Sequence, residues 1–402
     1  MSTVNTRNIN LAPPSLAGFQ RKSLVVGVVA AIIAIIGAFT SPDHFFRGYL
    51  MGYMWTVGIA LGSLALLMVG HLSGGNWWML SRRVWEAAAG TLPAWTVMFI
   101  PIALGIHKLY IWTHAEHVQG DHVLEGKTGY LNVTFWLVRA LIYFVIWNLL
   151  VWMLRTWSAR QDNDASPAIW QRMKSIAAPG ILVYGLTITF ASVDWIMSLD
   201  PHWFSTIFGM LFMAGQGLSA LAFVIAVLVL LARFAPMSDV LREDRLHDLG
   251  KLMLAFTMVW AYFSFSQWLI IWMGNLPEEI AWYLHRIKNG WQWVALALIL
   301  FQFVLPFVLL LSRDVKRDAK RLVPVALLVI VMRLVDMFWL VAPNPFPGPE
   351  YHHVTLHWTH IAAPTALMGL WLALFAWNLS KRPILVANDP QLPRLWERSH
   401  GH

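Results

Sequence analysis

The chain has 402 residues, of which 58% are hydrophobic and only 12% charged, against about 25% charged in a soluble domain. That balance excludes an ordinary soluble fold and predicts an all-α integral membrane protein, since apolar runs of helical length close their own backbone hydrogen bonds in lipid. With no cysteine, iron–sulfur ligation, covalent haem attachment and disulfides are excluded, and no cofactor is expected to be covalently bound.

A span needs about 20 apolar residues. About ten such runs follow one another, near residues 22–40, 48–70, 85–111, 132–155, 175–199, 203–233, 250–273, 290–312, 322–342 and 358–379. Residues 1–21 read as a leader, 22–379 as the membrane domain and 380–402 as a tail. Arg21 and Lys22 before a short apolar stretch resemble a signal peptide. The long polar leader and the nine later runs favour a retained membrane helix instead. The pattern permits two four-helix bundles, over 48–199 and 203–342, with the first and last helices peripheral to them. Four crossings restore the starting side, so the two bundles would run in the same direction.

The pI of 9.8 would suggest nucleic acid in a soluble protein, but here the basic residues fall between the runs and read as topology. They crowd the leader (Arg7, Arg21, Lys22), the second connection (Arg82, Arg83), the fourth (Arg155, Arg160, Arg172, Lys174), the sixth (Arg233, Arg242, Arg245, Lys251), the eighth (Arg313, Lys316, Arg317, Lys320, Arg321) and the tail (Lys381, Arg382, Arg394, Arg398). The odd connections hold only Arg47, Lys127, Arg286 and Lys288, a bias of about 22 to 4. Both termini are therefore expected in the cytoplasm.

The outward connections carry the acids and histidines. The third holds His114, Glu116, His117, Asp121, His122 and Glu125. The seventh holds Glu278, Glu279 and His285, with Ile280, Tyr283, Leu284 and Ile287 spaced for a short surface helix. The ninth is stiffened by four prolines, and such ordered loops suit a periplasmic partner. Trp112, Trp136, Trp195, Trp203, Trp272, Trp291 and Trp358 near outer ends, and Trp77, Trp78, Trp85, Trp157 and Trp170 near inner ends, read as interfacial belts. Gly48, Gly52, Gly58 and Gly62 form small-xxx-small pairs that admit close helix packing.

An ionisable group inside a span costs about 2.5 to 3.5 kcal/mol on insertion scales, so each one requires a partner or a function. Arg333 and Asp336 lie three residues apart on one face of the ninth run, as an ion pair or as part of a proton or ion conduit. Arg139 lies about 10 Å below the outer surface; Asp194 has a similar depth and is its expected partner. Glu86 reads either as a helix N-terminal acid favoured by the dipole or as an inner proton entrance. His107 and Lys108 end the third run, while His353, His357 and His360 fall at i, i+4 and i+7. Such a stripe suits interface packing, metal, haem b, proton relay or quinone hydrogen bonding; no acid stands at ligand spacing, and no metal site is assigned. Asp200 before Pro201 marks a turn, and Asp200 could cap the sixth span. Capping does not account for Asp194, whose carboxylate suits a group that accepts a proton and passes it outward.

The order of ten spans, together with DWIMSLDPHWFSTIFGM (residues 194–210), FSQWLIIWMGNLPEE (265–279) followed by Trp-Tyr and Arg, and LSRDVKRD (311–318), resembles the NrfD/polysulfide-reductase type of membrane subunit. The resemblance covers about residues 20–380 and is strongest to the second of the two such subunits in bacterial alternative complex III, a quinol:cytochrome c oxidoreductase. It implies a ten-helix fold of two four-helix bundles in the bacterial inner membrane. It also implies partners: a periplasmic iron–sulfur protein, c-type cytochromes and a sister membrane subunit, the better-supported site of quinol oxidation. For the second membrane subunit it implies a proton path and a second quinone pocket, with Asp194, Asp200 and His202 in the first segment and Gln267, Asn275 and Glu278 in the second as matching positions. The competing readings are a proton- or ion-coupled transporter, supported by Arg333, Asp336 and Arg139, a passive anchor, and a di-haem cytochrome b. No matched pair of Gly/Pro-broken runs, often found at transporter midplanes, is visible.

Overall fold

The computed structural model describes residues 13–344, 346, 353–386, 388–390 and 392–395. No strand occurs among them, and ten helices are long and apolar enough to cross a membrane. We label these α1 (Ser15–Thr40), α2 (Pro42–Ser73), α3 (Asn76–Leu104), α4 (Val133–Gln161), α5 (Pro167–Leu199), α6 (Phe208–Leu231), α7 (Glu243–Gly274), α8 (Trp291–Leu311), α9 (Ala319–Val341) and α10 (Thr359–Ser380). The all-α membrane fold expected from composition is present.

Local chemistry sets the helix ends. Only Ser41 separates α1 from α2, and Pro42 opens α2, where its missing N–H costs nothing. Gly74 and Gly75 both take positive φ, 68° and 100°, to turn the chain into α3. Asn132 caps α4 by accepting from Phe135 N at 2.9 Å, and Asp318 caps α9 by accepting from Lys320 N at 2.8 Å. Two helices are irregular. α3 is broken into Asn76–Ala89, Leu92–Val97 and Ile100–Leu104, because Pro93 and Pro101 each begin a new stretch. Within α8, Leu298–Val304 winds as a π-helix.

The helices extend beyond the apolar runs through the polar layer. Arg82, Arg83, Arg155, Arg160, Arg172, Lys174, Arg245 and Lys251 therefore sit within the first or last few turns of helices, not in the connections where sequence placed them. Arg82, Arg83 and Arg245 are buried there.

The core sits where α2 meets α6. These helices are the most enclosed, with 78% and 83% of their apolar windows buried, against 22% for α7 and α8. α2 packs on α3 and α5, and α5 on α4; α6 packs on α7 and α9, with α8 against α7 and α9. α1 and α10 pair and lean on α2. The small residues of α2 serve both sides. Gly48 and Gly52 face the α10 backbone at Thr359 and Pro364, while Gly58 and Gly62 face Gln216 of α6.

The tryptophan belt is only partly interfacial. Trp272 and Trp358 are exposed, whereas Trp78, Trp85, Trp112, Trp136, Trp195, Trp203 and Trp291 are buried. Some are held by backbone acceptors: Trp136 donates to Asp194 O at 2.8 Å and Trp112 to Ser198 O at 3.1 Å. A buried indole keeps its apolar area in the core once its N–H finds an acceptor.

Candidate functional site

We call the face where α1 begins and α10 ends the basic face, and the other the far face. Charged side chains are buried at three levels between them.

Nearest the far face, Arg139 of α4 meets Asp194 of α5, the pairing expected from their depths. The guanidinium is bidentate, Nε to Oδ2 and Nη2 to Oδ1, both at 2.8 Å. Tyr143, one turn along α4, donates to Oδ2 at 2.8 Å. The remaining Arg139 nitrogen donates to Tyr130 O at 2.9 Å, and the rings of Tyr130 and Phe135 stack on the guanidinium at 3.8 and 4.3 Å. Asp194 is wholly buried. Charge-assisted and bidentate, the pair is of the strong kind, and its low-dielectric surroundings strengthen each contact further.

At the middle level, Arg333 of α9 donates to Asp336 one turn on. Gly215 of α6 makes room for the guanidinium, because a Cβ there would lie 2.2 Å from Arg333 Nη2. The two charges are not alone. A void with room for about one water lies beside Arg333, lined also by Trp55, Gly58, Gln216 and Ser219. Gln216 accepts from Tyr184 of α5 at 2.7 Å, while its Nε2 and the Arg333 Nε are buried without a protein partner. Both residues line the void, which Met54, Phe212 and Met337 also bound, and unpaired buried donors suit a bound water.

Toward the basic face, Glu86 lies deep in the first stretch of α3, ten residues beyond its start at Asn76. The reading as a helix N-terminal acid is therefore corrected: guanidinium groups hold it, not a dipole. Glu86 accepts from Arg82 Nε at 3.0 Å, from Arg83 Nη1 at 2.7 Å and from Ser158 of α4. Arg82 also pairs with Asp389 at 3.0 Å and Arg83 with Asp162. Burial pushes the Asp162 carboxyl upward, against the pull of Arg83. His71, at the end of α2, is buried beside Trp78 with both ring nitrogens unpartnered.

The outer-edge candidates do not converge on one cavity. Gln267 is buried and committed, accepting from Ser205 at 3.0 Å and donating to Tyr283 at 3.2 Å. Asn275 ends α7 with φ 47°, a backbone role. Glu278 is exposed in the first turn of the short helix Pro277–Arg286. Asp200 follows a one-turn 3-10 helix, Met197–Leu199, and does not cap α6, whose first residue, Phe208, comes eight residues later. His202 is exposed and pairs with Asp121 at 2.6 Å. The surface helix exists, but Trp282, Tyr283 and Arg286 form its buried face while Leu284 and Ile287 are exposed. Trp203 stacks on Trp282 at 4.3 Å, and Arg286 lies 3.7 Å over the same indole. Burial lowers Arg286 to about 9, offset in part by Asp200.

The histidines are corrected as well. α10 begins at Thr359, so His353 and His357 precede the helix and the i, i+4, i+7 register is lost, though His357 still meets His360 edge-on at 6.1 Å. His44 of α2 joins this pair: it stacks on His357 at 4.4 Å between centroids and meets His360 edge-on at 5.3 Å. His107 is exposed, 5.8 Å from His114 and outside this cluster. Among the described residues, no three His, Asp or Glu side chains are placed to hold a metal ion. The ninth connection is described only in part, since residues 345 and 347–352 lie outside the described residues.

Sequence reasoning missed Tyr143, Gln216, Tyr184, Ser158, His44 and Asp389. Tyr143 stands at i+4 from Arg139 and carried a signal; Asp389, 307 residues from Arg82, carried none. No protein-family model and no curated protein matches the chain.

Proposed function

We propose that the chain is the proton-handling membrane subunit of a quinol:cytochrome c oxidoreductase of the alternative complex III type. It sits in the bacterial inner membrane with both termini in the cytoplasm, as the basic bias of the even connections supports. The void beside Arg333 carries the reading. A static ion pair needs no polar space next to it, whereas a proton relay needs a water that can exchange hydrogen bonds between neighbours. Glu86 toward the cytoplasm, Asp336 in the middle and Asp194 toward the periplasm then stand as successive acids, with Arg333 and Arg139 holding the last two in place. The iron–sulfur protein, c-type cytochromes and sister subunit of such a complex would carry the electrons that this cysteine-free chain has no covalent centre to carry. A quinone headgroup would meet the outer edge near Tyr283 and Arg286, and would take over the contacts that Gln267 makes with Ser205 and Tyr283.

The test is Asp336→Asn in the assembled complex, reconstituted in vesicles. The rate of proton transfer should fall by about a hundredfold or more, the scale of a lost proton-transfer group, while cytochrome c reduction persists. Unchanged stoichiometry and rate would remove Asp336 from the path. Ion-coupled transport is the second reading, favoured by the irregular backbone of α3 and α8. These are the second and third helices of their respective groups, so they lack the matched positions of an inverted or parallel repeat. Ion flux through vesicles holding this chain alone would favour that reading instead.

A further inference from the structure

On the basic face, a cleft opens between the ends of α3, α4 and α10, lined by Arg83, Glu86, Arg155, Asn378 and Arg382. Three guanidinium groups face one carboxylate, and that carboxylate is already engaged by Arg82, Arg83 and Ser158. Arg82, Arg83, Arg155 and Arg382 together outnumber Glu86, Asp162 and Asp389 by one charge. Among the described residues, Arg155 has no carboxylate within ion-pair distance; it holds Asn378 Oδ1 at 3.3 Å, and its Nε is buried without a partner. Gly90 is cut away to admit it, since a Cβ there would lie 2.3 Å from Arg155 Nη1. Arg382 closes the mouth, donating to Arg155 O at 3.0 Å and standing 3.6 Å from Glu86.

The same end of the helices carries cations stacked on tryptophans. Lys381 lies 3.0 Å over Trp377, Lys174 3.7 Å over Trp170 and Arg160 4.5 Å over Trp157. Such pairs mark the headgroup layer of a bilayer, so the cleft opens at the depth of lipid phosphates. Its interior has room for about one water, which is also the room a single phosphate oxygen needs.

We propose that this cleft binds a phosphate group, one oxygen inserted against Arg155 and the others held at the mouth by Arg382, and that its occupant is the phosphodiester of an anionic lipid. A planar guanidinium fork matches phosphate oxygens better than an ammonium does, and basic pockets between helix ends on this kind of face suit anionic headgroups. The inference does not depend on proton or quinone chemistry.

The assembled protein, purified in mild detergent and measured by native mass spectrometry, provides the test. It should retain phosphatidylglycerol or cardiolipin in preference to phosphatidylcholine. Arg155→Gln should cut that retention about fivefold, the worth of one such charge, and Arg382→Gln, at the partly exposed mouth, should do the same while Arg82 and Arg83 still hold Glu86. Lys381→Gln, which removes an equal charge from the neighbouring belt, should leave retention unchanged. Equal loss in the Lys381 variant would overturn the proposal, as would retention of no phospholipid, which would leave the cleft to water. If inorganic phosphate alone stabilised the delipidated protein as much as lipid does, with the gain lost in Arg382→Gln, the lipid assignment would fall.

Discussion

Arg139 and Asp194 illustrate what a single buried pair contributes. Bringing both charges into lipid-facing protein costs several kcal/mol each, returned only because the fork is bidentate and Tyr143 fills a further acceptor site. The two residues are therefore strongly coupled. Arg139→Leu alone strands a wholly buried carboxylate and should destabilise by about 3 to 5 kcal/mol. Arg139→Leu with Asp194→Leu removes the stranded charge and should recover most of that loss. Thermal unfolding of both variants in detergent checks this, and a double variant as unstable as the single one would contradict the coupling. This contact is readable in the sequence because an arginine and an acid at one depth in adjacent spans have few other partners. Glu86 is not readable in the same way. Its neighbours on α3 are visible as i−4 and i−3, but Ser158 and Arg382 reach it from distant segments, and nothing local announces them.

Helix positions follow from apolar length, but helix ends and connections follow from hydrogen bonds that apolar length does not encode. The expected start of the sixth span near residue 203 is displaced to Phe208 because residues 200–206 form turns held from outside. The connection between α3 and α4 does the holding. Asp121 caps the short helix His122–Lys127 with one oxygen and pairs with His202 through the other, while Lys127 donates to Pro201 O. The His202 hydrogen bond holds the Asp121 carboxyl below its usual range. A carboxyl with a lowered folded value contributes stability above its unfolded value of about 3.9 and loses it as pH falls through the folded value. The pair is partly exposed, so its worth is below about 1 kcal/mol. Hydrogen exchange at the amides of residues 202–206, corrected for intrinsic rate, should therefore accelerate by less than about fivefold as pH drops from about 5 to about 3. In Asp121→Asn, which keeps the helix cap, that acceleration should vanish. A variant with the same pH dependence as the parent would place the clasp elsewhere.

At the scale of the molecule, the seam between α2 and α6 joins the two helix groups, and it is built on absent side chains. The glycine spacing on α2 makes close packing readable, but not which glycine meets which helix, because the pattern names no partner. The structure divides them: two against α10, two against α6. Gly62 is the tightest. A Cβ there would lie 2.2 Å from the Gln216 carbonyl oxygen and 2.6 Å from its carbon, and backbone has no rotamer by which to retreat. Gly62→Val must push α6 away from α2, at a cost of about 1 to 3 kcal/mol or more. Gly126→Val, on an open connection with nothing within 4 Å, is the matched control and should leave the unfolding temperature nearly unchanged. The consequence reaches further than stability. Gln216 also accepts from Tyr184 and lines the void beside Arg333, so moving its backbone moves that wall. Gly62→Val in a complex that still assembles should therefore slow proton transfer in the same direction as Asp336→Asn, though no titratable group has been altered. A variant with a lowered unfolding temperature and an unchanged proton step would show that the seam supports the fold without shaping the site.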